Sequence, residues 1–330
     1  MNTTISALRP HVARLVIGAI LFALPAILAD AYYLDLVFQI YLWWAVASAW
    51  NILGGYGGQF SLGHAGFFAI GAYSMVILNV RVGLSPWLGL LVGVVISGVV
   101  ALGLGALTLR LRGPFFALLT LAFGEIVRVV AVLWRPVTNG SDGLSLPPNG
   151  TIADLFFGDA RGYCYVALLL AGATYCVTAF IERRRLGYMF LALRENEEAA
   201  RALGVLALRL RLGSLVLSAA LTAIAGGVLA AYLRYIDPDS VAGIDISIKI
   251  ALIAIVGGVA TAAGPLIGSM VIIVVTTVLR DSLAQTLGSG YLVIYGVILI
   301  VVVLAAPAGL GPTVANAFRR FRRWSTDATS

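Results

Sequence analysis

Glu125 and Arg128 lie three residues apart in the apolar run 114–134, and therefore on one face of any helix that run forms. Ionisable groups are costly inside an apolar span, so such a pair either locks two helices together or lines a water-filled pathway. A second polar set, Gln59, Ser61 and His64, sits in Gly54-Gly-Tyr-Gly-Gly-Gln-Phe-Ser-Leu-Gly-His-Ala-Gly66. Each glycine weakens a helix by about 1 kcal/mol relative to alanine, so this cluster, Gly63 included, should end one helix before another starts near Ser61. A helix N-terminus exposed there offers amide donors and a positive dipole end to an anionic group such as an amino acid carboxylate. The competing expectation is a tight turn whose glycines let helices approach closely, with His64 hydrogen-bonded as a packing residue.

The third set of charges belongs to a polar island, residues 182–211, between two apolar runs. Within it Arg194-Glu-Asn-Glu-Glu-Ala-Ala-Arg-Ala-Leu203 reads as one short helix, with Glu195, Glu197 and Glu198 towards its N-terminus, Arg201 nearer its C-terminus and Gly204 at the stop position. Ala199, Ala200 and Leu203 are expected to share one smooth apolar face between those charges. A docking helix of this kind suits a cytosolic partner better than a solvated loop does.

No nucleotide-binding G-x-x-x-x-G-K-[ST] motif, metal-ligand cluster, nucleophile–base pair or dinucleotide fingerprint occurs in the sequence. An enzyme is therefore not expected, and no cofactor is assigned to this chain. Cys164 and Cys176 fall in or beside one apolar run and are expected to be packing residues.

The elements that must carry these residues follow from composition. The chain of 330 residues is 61% hydrophobic and 11% charged, which a soluble domain does not need and a polytopic membrane protein does. The expected fold is all-α, a single transmembrane domain over 1–330 with about ten helices and some broken or re-entrant segments. Apolar runs of roughly 20 residues place spans at 12–29, 33–53, 62–80, 87–109, 114–134, 163–181, 212–233, 246–262, 265–280 and 291–307. The pieces 246–262 and 265–280 together are too short for two full crossings, so one of them is expected to be short, tilted or re-entrant. The net charge of +7 speaks to orientation and not to nucleic acid, because arginines cluster in a few loops. With Arg9 and Arg14 inside, alternation puts Arg110, Arg112, the island and the 319–323 tail on the cytoplasmic side, with both termini. The 135–162 loop, Asp237, Asp239 and Asp245 then face outward. Arg9, Arg14 and Ala29-Asp-Ala31 also outline a secretory signal, although the apolar stretch is long for one and Asp30 is awkward at its cleavage site. Lys249, the sole lysine, is expected to snorkel to the outer interface.

Glu198-Ala-Ala-Arg-Ala-Leu-Gly204 resembles the EAA-x-x-x-G core by which ABC importer permeases contact their ATPases. The 194–205 segment, GGYGGQFSLGHAGFFAIGAY at 54–73, the GG…GP…G pattern at 257–268 and Asn139-Gly-Ser-Asp-Gly-Leu144 are similar to the branched-chain amino acid permeases of LivM type, over about residues 50–310. The Ile-x-Leu-Pro tail of some importer families is absent. The resemblance implies a permease of the bacterial inner membrane that pairs with a second related permease. It also implies two cytosolic ATPase subunits, which would hold ATP and magnesium, and a periplasmic substrate-binding protein. The cargo implied is branched-chain amino acids, or a urea, amide or aromatic acid carried by the same family. An ion-coupled secondary transporter is the alternative class; it would need more acidic residues in its spans and gives the docking loop no role.

Overall fold

A computed structural model describes residues 16–108, 113–147 and 155–313. Arg9, Arg14, Arg110, Arg112 and the 319–323 tail lie outside these, so the basic ends that bear on orientation, and part of the 135–162 loop, fall outside the described residues. The described chain is a helical bundle: α1 (Val16–Ile27), α2 (Ala31–Asn51), α3 (His64–Val82), α4 (Pro86–Thr108), α5 (Pro114–Leu133), α6 (Arg135–Thr138), α7 (Ala160–Arg183), α8 (Arg185–Glu195), α9 (Glu197–Ala202), α10 (Ala207–Leu233), α11 (Pro238–Ala242), α12 (Ile244–Gly257), α13 (Gly264–Leu287) and α14 (Tyr291–Ala305). A two-residue ribbon pairs β1 (Leu144–Ser145) antiparallel with β2 (Tyr235–Ile236), in register Leu144↔Ile236.

Eight helical stretches among the described residues are long and apolar enough to cross a bilayer, against the ten expected. The outer two of the ten expected spans appear as the shorter helices Val16–Ile27 and Leu292–Ala305. A 15-residue α14 spans only about 22 Å at 1.5 Å per residue, short of the roughly 30 Å hydrocarbon core. The expected shortage around 246–280 is also corrected. Helical residues from Pro238 extend α12 to a 20-residue span, and α13 continues to Leu287 past Arg280 and Asp281. Those polar residues mask the helix ends from a criterion based on apolar runs.

α2 is the spine. It packs against α7, α10, α12 and α13, and most of its side chains are buried. At one end Phe38 stacks on Tyr232 at 3.9 Å, and the Tyr232 hydroxyl donates to Asp35 at 2.7 Å. Lys249 does not snorkel outward: its Nζ lies 4.1 Å from the centroid of the Trp43 ring, a cation–π contact inside the bundle. Cys164 is buried and Cys176 exposed, both free. α3 and α10 cross so closely that a methyl on Gly71 would strike the Ala223 carbonyl and one on Gly226 the Phe68 carbonyl, the small-residue contact by which membrane helices associate without a hydrophobic drive. The outward faces of α4 and α5 carry Leu91, Val95, Val99, Leu118 and Leu133, each more than half exposed, as lipid-facing helices do.

α2 ends in a π-turn, Ile52–Tyr56, and α3 begins only at His64. α12 and α13 are likewise separated by residues 258–263, where Ala260 (φ 57°) and Gly258 (φ 125°) leave helical geometry. Hydrogen bonds from Asn51 and Tyr56 bring both breaks to the end of the bundle that carries α8 and α9. The β ribbon, Asp239 and Asp35 lie at the opposite end.

Candidate functional site: the docking segment and the first helix break

The segment expected to be one helix over 194–203 is two. Arg194 and Glu195 close α8, and Asn196 (φ −153°, ψ 105°) breaks the chain and caps α9, its side chain accepting from Glu198 N at 3.1 Å and Ala199 N at 3.0 Å. Asn196 followed by Glu-Glu is itself a helix-start signature. Gly204 adopts φ +86°, as expected for a stop. Its amide donates to the Arg201 carbonyl (2.9 Å) and that of Val205 to Ala200 (3.0 Å), the paired bonds of a Schellman cap.

The expected shared face is also divided. Ala199 and Leu203 are exposed, Leu203 by 84%, whereas Ala200 turns inward against Leu193 and Ala207. Positions 199 and 203 stack one turn apart, and position 200 is rotated by about 100°. Glu197 is committed within the chain: it holds Arg201 at 2.6 Å and Arg211 of α10 through two 3.2 Å bonds. The outward surface of α9 therefore includes Glu198, Ala199, Leu203 and Gly204, with Arg201 and Ala202 also exposed and Arg194 and Glu195 beside it.

At the first break, Ser61 and His64 are fully buried. Ser218 Oγ donates to the Ala49 carbonyl (2.6 Å), so it must accept from His64 Nε2 (2.7 Å); His64 Nδ1 is then the acceptor for Ser61 Oγ (3.1 Å). This one-way chain assigns the neutral Nε2–H tautomer. The amides expected to face an anion are occupied: Leu62 N by Thr120 Oγ1, Gly63 N by Ser61 Oγ, Ala65 N by Ser247 Oγ, and Gly66 N by the Gly63 carbonyl. Gly63 itself lies against α5, where a methyl would run into the Thr120 carbonyl. Gln59 is separated from this network. With Gly57, Gly58 and Phe60 it lines a cavity of about 700 Å³ together with Arg194, Glu197 and Arg211, so the structure brings this part of the break and the docking segment to the same space.

Glu125 and Arg128 form a bidentate pair, with Arg128 Nε 3.0 Å from each carboxylate oxygen and Nη2 2.6 Å from Oε1. A third member is not legible in sequence. Asp239 of α11, 111 residues on, accepts from Arg128 Nη1 at 2.9 Å. The side chains of Glu125, Arg128 and Asp239 are 46%, 31% and 77% exposed. The triad runs from the middle of α5, where Glu125 shares a small cavity with Leu62 and Ala65, to Asp239 at the end opposite the docking segment, on a face where α5 otherwise shows apolar residues.

The family described as branched-chain amino acid transport system / permease component matches residues 32–303. The chain belongs to that family. Two similar relatives are the high-affinity branched-chain amino acid transport system permease proteins LivM of Salmonella typhimurium and Escherichia coli. Each is 30% identical over 285 residues, covering 79% of this chain and 66% of the relative. A probable branched-chain amino acid transport permease protein LivM of Methanocaldococcus jannaschii is 23% identical over 78% of this chain and 77% of its own length. The match thus spans just under two thirds of the length of the two enterobacterial relatives. No solved structure matches the chain significantly. The family and the eight apolar spans make this a multi-pass membrane protein.

Proposed function

We propose that the chain is the membrane-spanning permease subunit of an ATP-driven importer of branched-chain amino acids in the bacterial inner membrane. The observation that carries this is α9: a capped, six-residue helix on the end of the bundle where both span breaks lie, presenting Ala199 and Leu203 between charges. Leu203, the most exposed leucine of this segment at 84%, stands at the end of a helix braced from behind by Glu197–Arg211, which is what a partner groove would take as an anchor. The names of the relatives support the cargo. The partners are a second related permease, two cytosolic ATPases that bind ATP and magnesium, and a periplasmic binding protein. No enzymatic role is assigned to this chain.

Two charges on the apolar span α5, with a third from α11 beside them, are not a face for lipid tails. The Glu125–Arg128–Asp239 face is therefore proposed to meet the pathway between the two permeases. The occupied amides and buried Ser61 and His64 favour a packing joint at the first break, with Gln59 and its neighbours Gly57, Gly58 and Phe60 facing the cavity. Orientation follows with α8 and α9 cytoplasmic, a placement supported by the arginines at 183–185, 194, 201, 209 and 211.

The test is uptake by proteoliposomes containing both permeases, both ATPases and the binding protein. ATP-dependent accumulation of labelled leucine, isoleucine or valine is the expected result. Accumulation of urea or an aromatic acid instead would change the cargo, and uptake without ATPases would overturn the importer. Orientation has its own test in cells carrying Cys176→Ser. An impermeant thiol reagent added from the periplasm should label Ser141→Cys and leave Glu198→Cys unlabelled; the reverse pattern would invert the bundle.

A further inference from the structure

We propose that Glu182 is a positioning residue that ties the root of the docking segment to both helix breaks, so that movement of α8 and α9 reaches the two breaks together. The proposal rests on the importer reading above. Glu182 lies in the last turn of α7, immediately before α8 begins at Arg185. One of its oxygens, Oε2, accepts two bonds: from the Tyr56 hydroxyl at 3.2 Å, at the end of the π-turn that opens the first break, and from the Ala262 amide at 3.2 Å, within the second. The two breaks are tied to each other as well. Asn51, fully buried at the end of α2, accepts from Ala260 N at 2.9 Å and donates to the Thr261 carbonyl at 3.0 Å. Three segments 80 to 210 residues apart in sequence are thus closed into a triangle of side-chain bonds.

The chemistry makes the triangle directional. Residues 258–263 leave helical geometry, so the amides of Ala260 and Ala262 take their bonds from side chains of other elements. At 3.2 Å both bonds to this oxygen are long, and their weight comes from one carboxylate oxygen serving two separate elements at once. Shift the end of α7, and the second break must follow or leave an amide unpaired, the costly outcome for a buried donor. The docking segment also touches the first break directly, the side chain of Arg194 lying beside Gly58. Between these parts a cavity of about 290 Å³, lined by Tyr56, Glu182, Leu191, Arg194 and Ala260, leaves room for the node to move without repacking the bundle.

The test compares amino acid moved per ATP hydrolysed in proteoliposomes of the complete transporter. Glu182→Ala is expected to assemble with its ATPases and keep hydrolysing ATP, while moving about tenfold less amino acid per ATP, equivalent to about 1.4 kcal/mol of lost coupling. Glu182→Gln, which keeps an acceptor oxygen but loses the charge, should fall between it and the parent chain. Tyr56→Phe added to Glu182→Ala should cost nothing further, since both remove the same link. If Glu182→Ala does not assemble, Glu182→Gln decides the matter by the same ratio. An unchanged ratio in an assembled Glu182 variant, beside a parent complex that transports normally, overturns the node alone. A parent complex that binds no ATPase overturns the importer reading and the node with it.

Discussion

Leu203→Arg is expected to leave the bundle folded and to strip it of its ATPase. Leu203 is 84% exposed and contributes nothing to the core, so the melting temperature should stay within about a degree of the parent chain. If Leu203 is the apolar anchor of the docking surface, replacing it with a charge costs about 2 kcal/mol or more of association, roughly thirtyfold in affinity. Uptake should fall tenfold or more, and the ATPase should be lost on purification. Ala199→Arg, one turn away on the same face, should behave alike. Ala200→Arg should not, because Ala200 packs behind α9 against Leu193 and Ala207; that variant is expected to loosen the segment and lower the yield as well as uptake. Equal ATPase co-purification by Leu203→Arg and the parent would remove α9 from the interface. Two adjacent alanines thus give opposite folding readouts, which separates docking from packing in one experiment.

The second large effect is Gly63→Val. The backbone there has φ −101°, which valine tolerates, so the whole penalty is steric. The added side chain would meet the Thr120 carbonyl and part the Leu62 N–Thr120 Oγ1 bond of 3.0 Å. Overpacking costs about 1–3 kcal/mol and loss of the part-buried amide's bond about 1 more, enough to cut the yield of folded protein several-fold. Ser61→Ala removes the donor to His64 Nδ1 and the long 3.3 Å acceptor of the Gly63 amide without adding bulk, and should lower the melting temperature less while leaving uptake measurable. Full yield and melting temperature for Gly63→Val would refute the close contact; full yield with abolished uptake would return this break to the pathway.

The parts that can be seen in sequence are those written locally. Apolar runs locate the helices because each long span is continuous, and Gly204 marks a stop because the left-handed turn it makes is a property of a few neighbouring residues. The glycine cluster at 54–66 marks a break for the same reason. What sequence reading misses is written across the chain. Asp239 completes the Arg128 triad from 111 residues away. Asn51 and Glu182 look like ordinary polar ends of apolar runs until the fold brings residues 258–263 beside them. Helix ends are misjudged where a polar pair, Arg280 and Asp281, sits inside a helix that continues beyond it. Ala200 falls on the wrong face if one helix runs from 194, whereas Asn196 restarts the turn.

The spine helix α2 bears on how the protein is made. It is the least hydrophobic of the eight long spans and also the most enclosed, with Trp43, Trp44, Ser48, Trp50 and Asn51 along its length. It is synthesised before the helices that cover it, α7, α10, α12 and α13. On leaving the ribosome it therefore enters the bilayer with weak insertion energy and with indole and amide groups that lipid cannot satisfy. Asn51 receives its partners only when Ala260 and Thr261 have been translated, 209 and 210 residues later. Until then the half-made protein carries Asn51 without the partners that hold it in the finished fold, so α2 reaches its final environment only after the second break has been made.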